Sequence, residues 1–311
     1  MNHSIIGGII MFSKTQIAAA LASLLCLTAL SGGCSSSQGP TQTKEFSLTD
    51  VKSIMVDYDG ESVTMKECNS DKIVVVEYMD KTQKSYFAKI DLVGGVLTIS
   101  EGARPIGNGV HSYMELYLPE AYQDSLSIHT TNGNILSGVA LTLDSFHADT
   151  TNGELEVSNL TADKIVFKST GGKLTAKNIS AQVCAIDTTN ADTRLDSITG
   201  MIEYKSKGGD LTVDEGVGSG NFKVTGDGSL KLTFAEVTGD LSAYTKNGSI
   251  TLVIPDSLHF AFTATTQNGT TQTSFPELLS ITEKTAGGTI GNDADVKIGL
   301  ETKNGDINVT K

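Results

Sequence analysis

There is no tryptophan in these 311 residues, and there are only five prolines and four cysteines. Aromatic side chains make up 6% of the chain. A core of this composition must be filled mainly by aliphatic groups. Two of the cysteines, Cys26 and Cys34, lie near the start, leaving Cys68 and Cys184. That excludes a disulfide framework and a cysteine metal cluster. Basic residues are scarce: 23 Lys and Arg stand against 36 Asp and Glu, a net charge of −13. This balance excludes nucleic acid as a partner and an electrostatic hold on anionic lipid, but leaves cationic partners open. No P-loop, GxSxG, HExxH or paired CxxC occurs, so no catalytic, cofactor-binding or metal-binding residue is assigned. What is abundant is glycine, threonine, serine, valine and isoleucine; the β-branched residues among them suit strands.

The one long apolar run, "IAAALASLLCLTAL" from Ile17 to Leu30, follows Lys14. It is long enough for a signal h-region and too short to span a bilayer. "LSGGC", Leu30 to Cys34, comes next. Small residues before a cysteine at the end of an h-region resemble a bacterial lipobox, although Ser31 stands where that motif usually has Leu. The resemblance implies cleavage before Cys34 and lipid attachment at Cys34; the alternative is ordinary secretion with cleavage elsewhere. Residues 1–33 are then a lipoprotein signal peptide and 34–43 a polar tether. Met1 and Met11 both remain open as the start.

A short phrase recurs after that. "HTTNG" ends at Gly133, "DTTNG" at Gly153, "YTKNG" at Gly248 and "ETKNG" at Gly305. The full series of marks is Gly133, Gly153, Gly172, Ala191, Gly209, Gly228, Gly248, Gly269, Gly288 and Gly305, at intervals of 20, 19, 19, 18, 19, 20, 21, 19 and 17. Such a period denotes a repeat architecture. The residue before each mark is Asn, Asp or Gly, which tolerate positive φ, so each unit is expected to turn there. Ala191 is the exception in the glycine column and predicts a shifted turn or local strain. Three places before every mark stands Thr or Ser. The alternating apolar residues around it read as strands, with Cys184 in an apolar column between Ile165 and Ile202.

A hairpin meander and a β-solenoid share this grammar. The column four places before the mark separates them. It reads His129, Asp149, Lys168, Asp187, Lys205. Opposite charges alternate from unit to unit, as expected if successive coils stack and these side chains become neighbours on an outward face. The fold expected is therefore an all-β, single-stranded β-solenoid with coils of about 19 residues. Residues 44–120 lack the mark and supply the irregular N-terminal strands and cap; residues 121–311 supply the repeat coils. Two further segments correspond: Pro119 precedes Gly133 by fourteen residues and Pro255 precedes Gly269 by fourteen. Proline cannot donate to a ladder, so both are expected at strand ends or corners.

The "ELYLP" stretch, the Thr-x-Asn-Gly-x-Ile/Leu coils and the second "VIP" resemble the bacterial putative-adhesin domain of unknown function, the YvlB-like group. The resemblance covers nearly all of residues 44–311. It implies a β-solenoid in the bacterial envelope with links to adhesion or envelope stress, and it brings no catalytic residue.

The function expected is that of a non-enzymatic surface lipoprotein binding a protein, glycan or cationic peptide, with the membrane reached only through its lipid anchor. Two alternatives stand beside it. One is a polysaccharide-acting enzyme using Asp149 and Asp187, although Lys168 lies between them. The other is a purely structural spacer. The charge column is expected to be structural. The final coil, "ETKNGDINVTK", reads as an uncapped edge: either it accepts a partner strand, or Lys303, Asp306 and Lys311 guard it.

Overall fold

The computed structural model describes residues 39–104, 109–275 and 279–311. The signal segment, Cys34 and the start of the tether lie outside them. Among the described residues regular structure is β-strand, apart from 3-10 turns at Leu48–Asp50 and Lys84–Tyr86. The N-terminal strands are β1 (Gln42–Ser47), β2 (Ser53–Tyr58), β3 (Ser62–Cys68), β4 (Lys72–Met79), β5 (Lys89–Val93), β6 (Val96–Ser100) and β7 (Ser112–Pro119). The repeat region holds β8 (Ser125–Thr130), β9 (Ile135–Ser137), β10 (Leu141–Thr150), β11 (Leu155–Ser169), β12 (Leu174–Thr188), β13 (Thr193–Ser206), β14 (Leu211–Asp227) and β15 (Leu230–Asn247). The C-terminal strands are β16 (Ile250–Val253), β17 (Phe260–Asn268), β18 (Thr271–Thr273), β19 (Leu279–Ile281), β20 (Thr285–Ile290), β21 (Val296–Asn304) and β22 (Ile307–Thr310).

The fold is a β-solenoid. Strand β11 shows how one coil forms. Its inward residues are Leu155, Val157, Leu160, Ala162, Ile165, Phe167 and Ser169. Alternation slips a step at 158–159 and again at 163–164, so the strand bends twice; the turn at 170–173 makes the third corner. The first bend uses a left-handed residue in four successive coils: Asn159, Asn178, Ser197 and Glu215, with φ of 58°, 53°, 53° and 53°. Parallel pairing then stacks each coil on the next in register, Leu155 against Leu174 and Ile165 against Cys184. Apolar columns become a continuous core. Cys184 belongs to it, and burial pushes its thiol up to about 12, leaving it inert as a nucleophile. Eleven parallel strands, from β6 to β17, stack along one side, a rise of roughly 48 Å at the usual strand spacing.

The repeated turn is built from three columns with separate tasks. The hydroxyl column is buried and bonds to the turn. Thr150 Oγ1 accepts from Gly153 N at 3.0 Å, Ser169 Oγ donates to Gly172 O at 2.7 Å and Thr245 Oγ1 to Gly228 O at 2.7 Å. In the glycine column coils approach too closely for a side chain: a Cβ on Gly153 would overlap Gly133 O. The Asn column forms an amide ladder, with Asn152 Nδ2 donating to Asn132 Oδ1 at 2.9 Å and Asn304 Nδ2 to Asn247 Oδ1. These Asn residues do not have positive φ, so the expectation that they supply left-handed backbone is corrected. Their side-chain amides, which donate one way and accept the other, explain the column.

The bonding of the turn changes one coil after Ala191, at Gly209, and the Ala191 turn keeps the earlier pattern. Up to Gly208 the residue before the mark donates to the preceding coil, as from Asn152 N to Thr131 O and Asn190 N to Thr170 O, both 2.8 Å, and Gly208 N to Thr189 O at 2.7 Å. From Gly209 onward the mark glycine donates to the spatially following coil, as from Gly209 N to Asp227 O and Gly228 N to Asn247 O, both 2.9 Å. Two units depart from the column reading. Val224, not Thr225, stacks between Ser206 and Thr245, and Thr225 is exposed. Gly288 lies in β20, which runs antiparallel to β17, so "TAGG" is not a coil turn.

Coil order at the two ends departs from chain order. At the N-terminal end β2 and β3 lie between β6 and β7 on the outside and β8 and β9 on the inside. Antiparallel strands finish this end: β5 on β6, and β4 on β7 with β1 beyond it. At the other end β21 lies between β15 and β17, and β22 between β16 and β18. The final coil is therefore enclosed on both sides, and the reading of it as an uncapped edge is corrected. Asp306 accepts from Thr270 N at 2.8 Å, and Lys311 pairs with Asp256 at 2.6 Å. Pro119 and Pro255 mark these events. Each opens a tight turn, Tyr122 N to Pro119 O at 2.9 Å and Leu258 N to Pro255 O at 3.1 Å. After each turn the chain advances by two coil positions instead of one, stepping over the place held by an out-of-order coil.

Candidate functional site

The in-register stacking sets the outward polar columns. His129, Asp149, Lys168, Asp187 and Lys205 stand opposite one another on β8, β10, β11, β12 and β13. Of these neighbours only His129 and Asp149 close to an ion-pair distance, 3.6 Å. The column continues from Lys205 to Lys223, where like charges meet and the alternation ends. Beside it His147 stands between Ser127 and Val166. Its Nε2 is buried without a partner. Burial first, then the positive charge of Lys168, lowers its imidazole below the usual range and holds it neutral.

A groove of about 420 Å³ opens at the second bend of three coils. Thr142, Thr161 and Ser180 form one wall and Asp144, Asp163 and Gln182 the other, over Leu143, Ala162 and Ala181. Gln182 Nε2 donates to Asp163 Oδ1 at 3.0 Å. The next coil is one residue shorter here: Ser180 to Val183 lies opposite Thr199 to Met201, which closes the groove. Nothing in the column reading pointed to this groove; the signal was the 18-residue interval from Ala191 to Gly209.

The N-terminal cap carries two further clusters. Arg104, enclosed between β6 and β7, pairs with Glu61 and with Glu77 at 2.8 Å and donates to Tyr86 O at 3.0 Å. Glu77 also accepts from Ala88 N at 2.9 Å. All three charged side chains are buried; burial raises the Glu77 carboxyl and lowers the Arg104 guanidinium. On the outward side of β4 and β7, Tyr78 and Tyr113 stack with centroids 4.5 Å apart and planes at 12°. Tyr78 and Tyr117 both donate to Glu115 Oε2, at 3.2 and 2.8 Å, and Lys66 lies 3.8 Å from Oε1. Burial, followed by Glu115, pushes the Tyr78 phenol up to about 12, so it stays a donor. Among the described residues no group of three or more His, Cys, Asp or Glu is placed to hold a metal ion, and no helix is long and apolar enough to cross a membrane.

A solenoid with these turns and outward polar columns defines a repeat scaffold, and comparison places it in a family. The model of the Toastrack family, a domain of unknown function (DUF4097), matches residues 51–310, and the chain belongs to that family. No curated protein matches the chain. Solved structures with similar folds include a putative adhesin from Bacteroides fragilis, at 13% identity and a TM-score of 0.47, covering 86% of this chain and 96% of that one. A putative adhesin from Parabacteroides merdae is similar at 14% identity and 0.46, covering 87% and 96%. A putative lipid-binding protein from Parabacteroides distasonis is similar at 14% and 0.43, covering 87% and 96%. At these identities and scores the likenesses carry no functional argument.

Proposed function

We propose that this Toastrack protein is a non-enzymatic bacterial surface lipoprotein, anchored through Cys34, which binds an extracellular or envelope partner in adhesion or envelope stress. The observation that carries the reading is the registered stack of outward polar columns on a solenoid face roughly 48 Å long. Extended faces of this kind are what solenoids use for binding. The register also weighs against a glycan-cleaving pair, because Lys168 stands between Asp149 and Asp187.

Two measurements test this. A fatty-acid probe fed to cells should label the wild type and not Cys34→Ser; equal labelling removes the anchor from the proposal. The soluble domain, residues 39–311, should bind a cationic peptide, matrix protein or cell-wall glycan across a salt series. Failure to bind any class would leave a spacer role, and loss of a measured glycan-cleaving activity in Asp149→Asn or Asp187→Asn would replace the reading with the enzymatic one.

A further inference from the structure

We infer that the tyrosine platform on the N-terminal cap is a binding site for a neutral glycan, with one sugar ring stacked on Tyr113. The inference rests on the reading of this protein as a binding module and names its ligand class and place.

The platform lies on the outward face of the sheet β1–β4–β7–β3. Strand register places Tyr78 opposite Tyr113, Val76 opposite Glu115, and Val74 opposite Tyr117. On the other side of β7, Lys66 lies opposite Tyr117. Three of the eight tyrosines of an aromatic-poor chain therefore gather on two adjacent strands, β4 and β7. Two of them are fixed, because Tyr78 and Tyr117 spend their hydroxyls on the same oxygen of Glu115. Tyr113 is different. It is braced on one ring face by Tyr78 and remains 45% exposed. It is the one aromatic among the large apolar side chains that stay exposed in the described residues. A flat, immobilised and half-exposed ring loses little entropy when something packs on it.

Charge selects the ligand. The chain as a whole is strongly acidic. This face is not: its two outward carboxylates, Glu115 and Glu45, are matched by Lys66 at 3.8 Å and Lys72 at 2.6 Å. A cationic peptide would find no unmatched carboxylate between these strands, and an anionic lipid layer would find no net positive charge here. The surface instead offers an aromatic face beside one strong acceptor and one strong donor, Glu115 and Lys66. A pyranose presents the complement, an apolar face of C–H groups ringed by hydroxyls that both donate and accept. The competing reading is a cross-strand aromatic pair that only stabilises the sheet.

The test is binding of the soluble domain to neutral oligosaccharides of hexose and N-acetylhexosamine, measured for wild type, Tyr113→Leu, Tyr113→Phe and Glu115→Gln, with thermal unfolding as a control. Loss of affinity on the order of tenfold or more in Tyr113→Leu, with binding kept in Tyr113→Phe and the melting transition unchanged, supports the site. Glycan binding that Tyr113→Leu leaves intact overturns the site and leaves the binding-module reading standing. Binding of cationic peptide or protein without any neutral glycan overturns the ligand class in the same way. No binding to any class overturns both.

Discussion

Replacing Thr150 by valine removes one hydroxyl and little volume, and it tests what the hydroxyl column does. Thr150 is fully buried. Its Oγ1 accepts from Gly153 N at 3.0 Å and lies 3.3 Å from Gly133 O. Gly133 O keeps a second donor in Thr130 Oγ1, so it stays satisfied in the variant. Gly153 N–H does not, because Gly153 is buried and Thr150 Oγ1 is its acceptor. Leaving one buried amide unpaired costs about 1–3 kcal/mol. For a domain of this size that is a fall in Tm of roughly 2–12 °C. Thr225→Val is the matched control: the same change three residues before a mark, but on an exposed side chain whose column place is taken by Val224. It should lie within about 0.5 kcal/mol of wild type. The assay is urea unfolding of residues 39–311, read as a shift of midpoint at constant m. If Thr150→Val is no less stable than Thr225→Val, the hydroxyl column does not support the turns and the account given for it is wrong.

Arg104→Met should leave Glu61 and Glu77 buried without their counter-charge, which costs about 3–5 kcal/mol where such pairs are broken; hydrogen exchange should speed up in β4 and β7 before it does in β11 to β13, and uniform loosening would argue against a local clamp. His147 is held neutral in the fold, so its contribution to stability is present above the ordinary histidine value near 6.5 and is lost as pH falls below it. The wild type should therefore lose more stability than His147→Gln between pH 7.5 and 5; parallel losses would refute the assignment.

Much of the coil was legible in the sequence because stacking turns a spatial neighbour into a fixed offset along the chain. The columns through Thr150, Asn152 and Gly153 each repeat near every nineteenth residue, and so identify a solenoid before any coordinate does. Offsets carry no information on which coil lies on which. The reading therefore missed that residues 53–68 and 296–310 sit out of order, and it accepted "TAGG" at Gly288 because a four-residue match cannot distinguish a parallel coil from an antiparallel strand. The Asn column was found for the wrong reason: positive φ and side-chain laddering favour the same residue, and only backbone angles separate them. The paired Pro119 and Pro255 segments were noticed as alike, yet their shared role, a double step along the axis, is a property of the path and not of the residues. The groove and the tyrosine platform arise from a deletion and from antiparallel pairing, neither of which the repeat period encodes.

The position of β21 bears on how such a molecule comes to exist. β17 precedes β21 in the chain but lies outside it, so β17 has no inner neighbour until residues made later arrive. A solenoid of the ordinary kind could be laid down like bricks as each turn leaves the ribosome. This one cannot. Its C-terminal portion can be completed only once β21 has been made, because β15 and β17 are joined through it. The seam there binds early residues to late ones. The Asn304 amide, reaching Asn247 on one side and Asn268 on the other, is the stitch that shuts it.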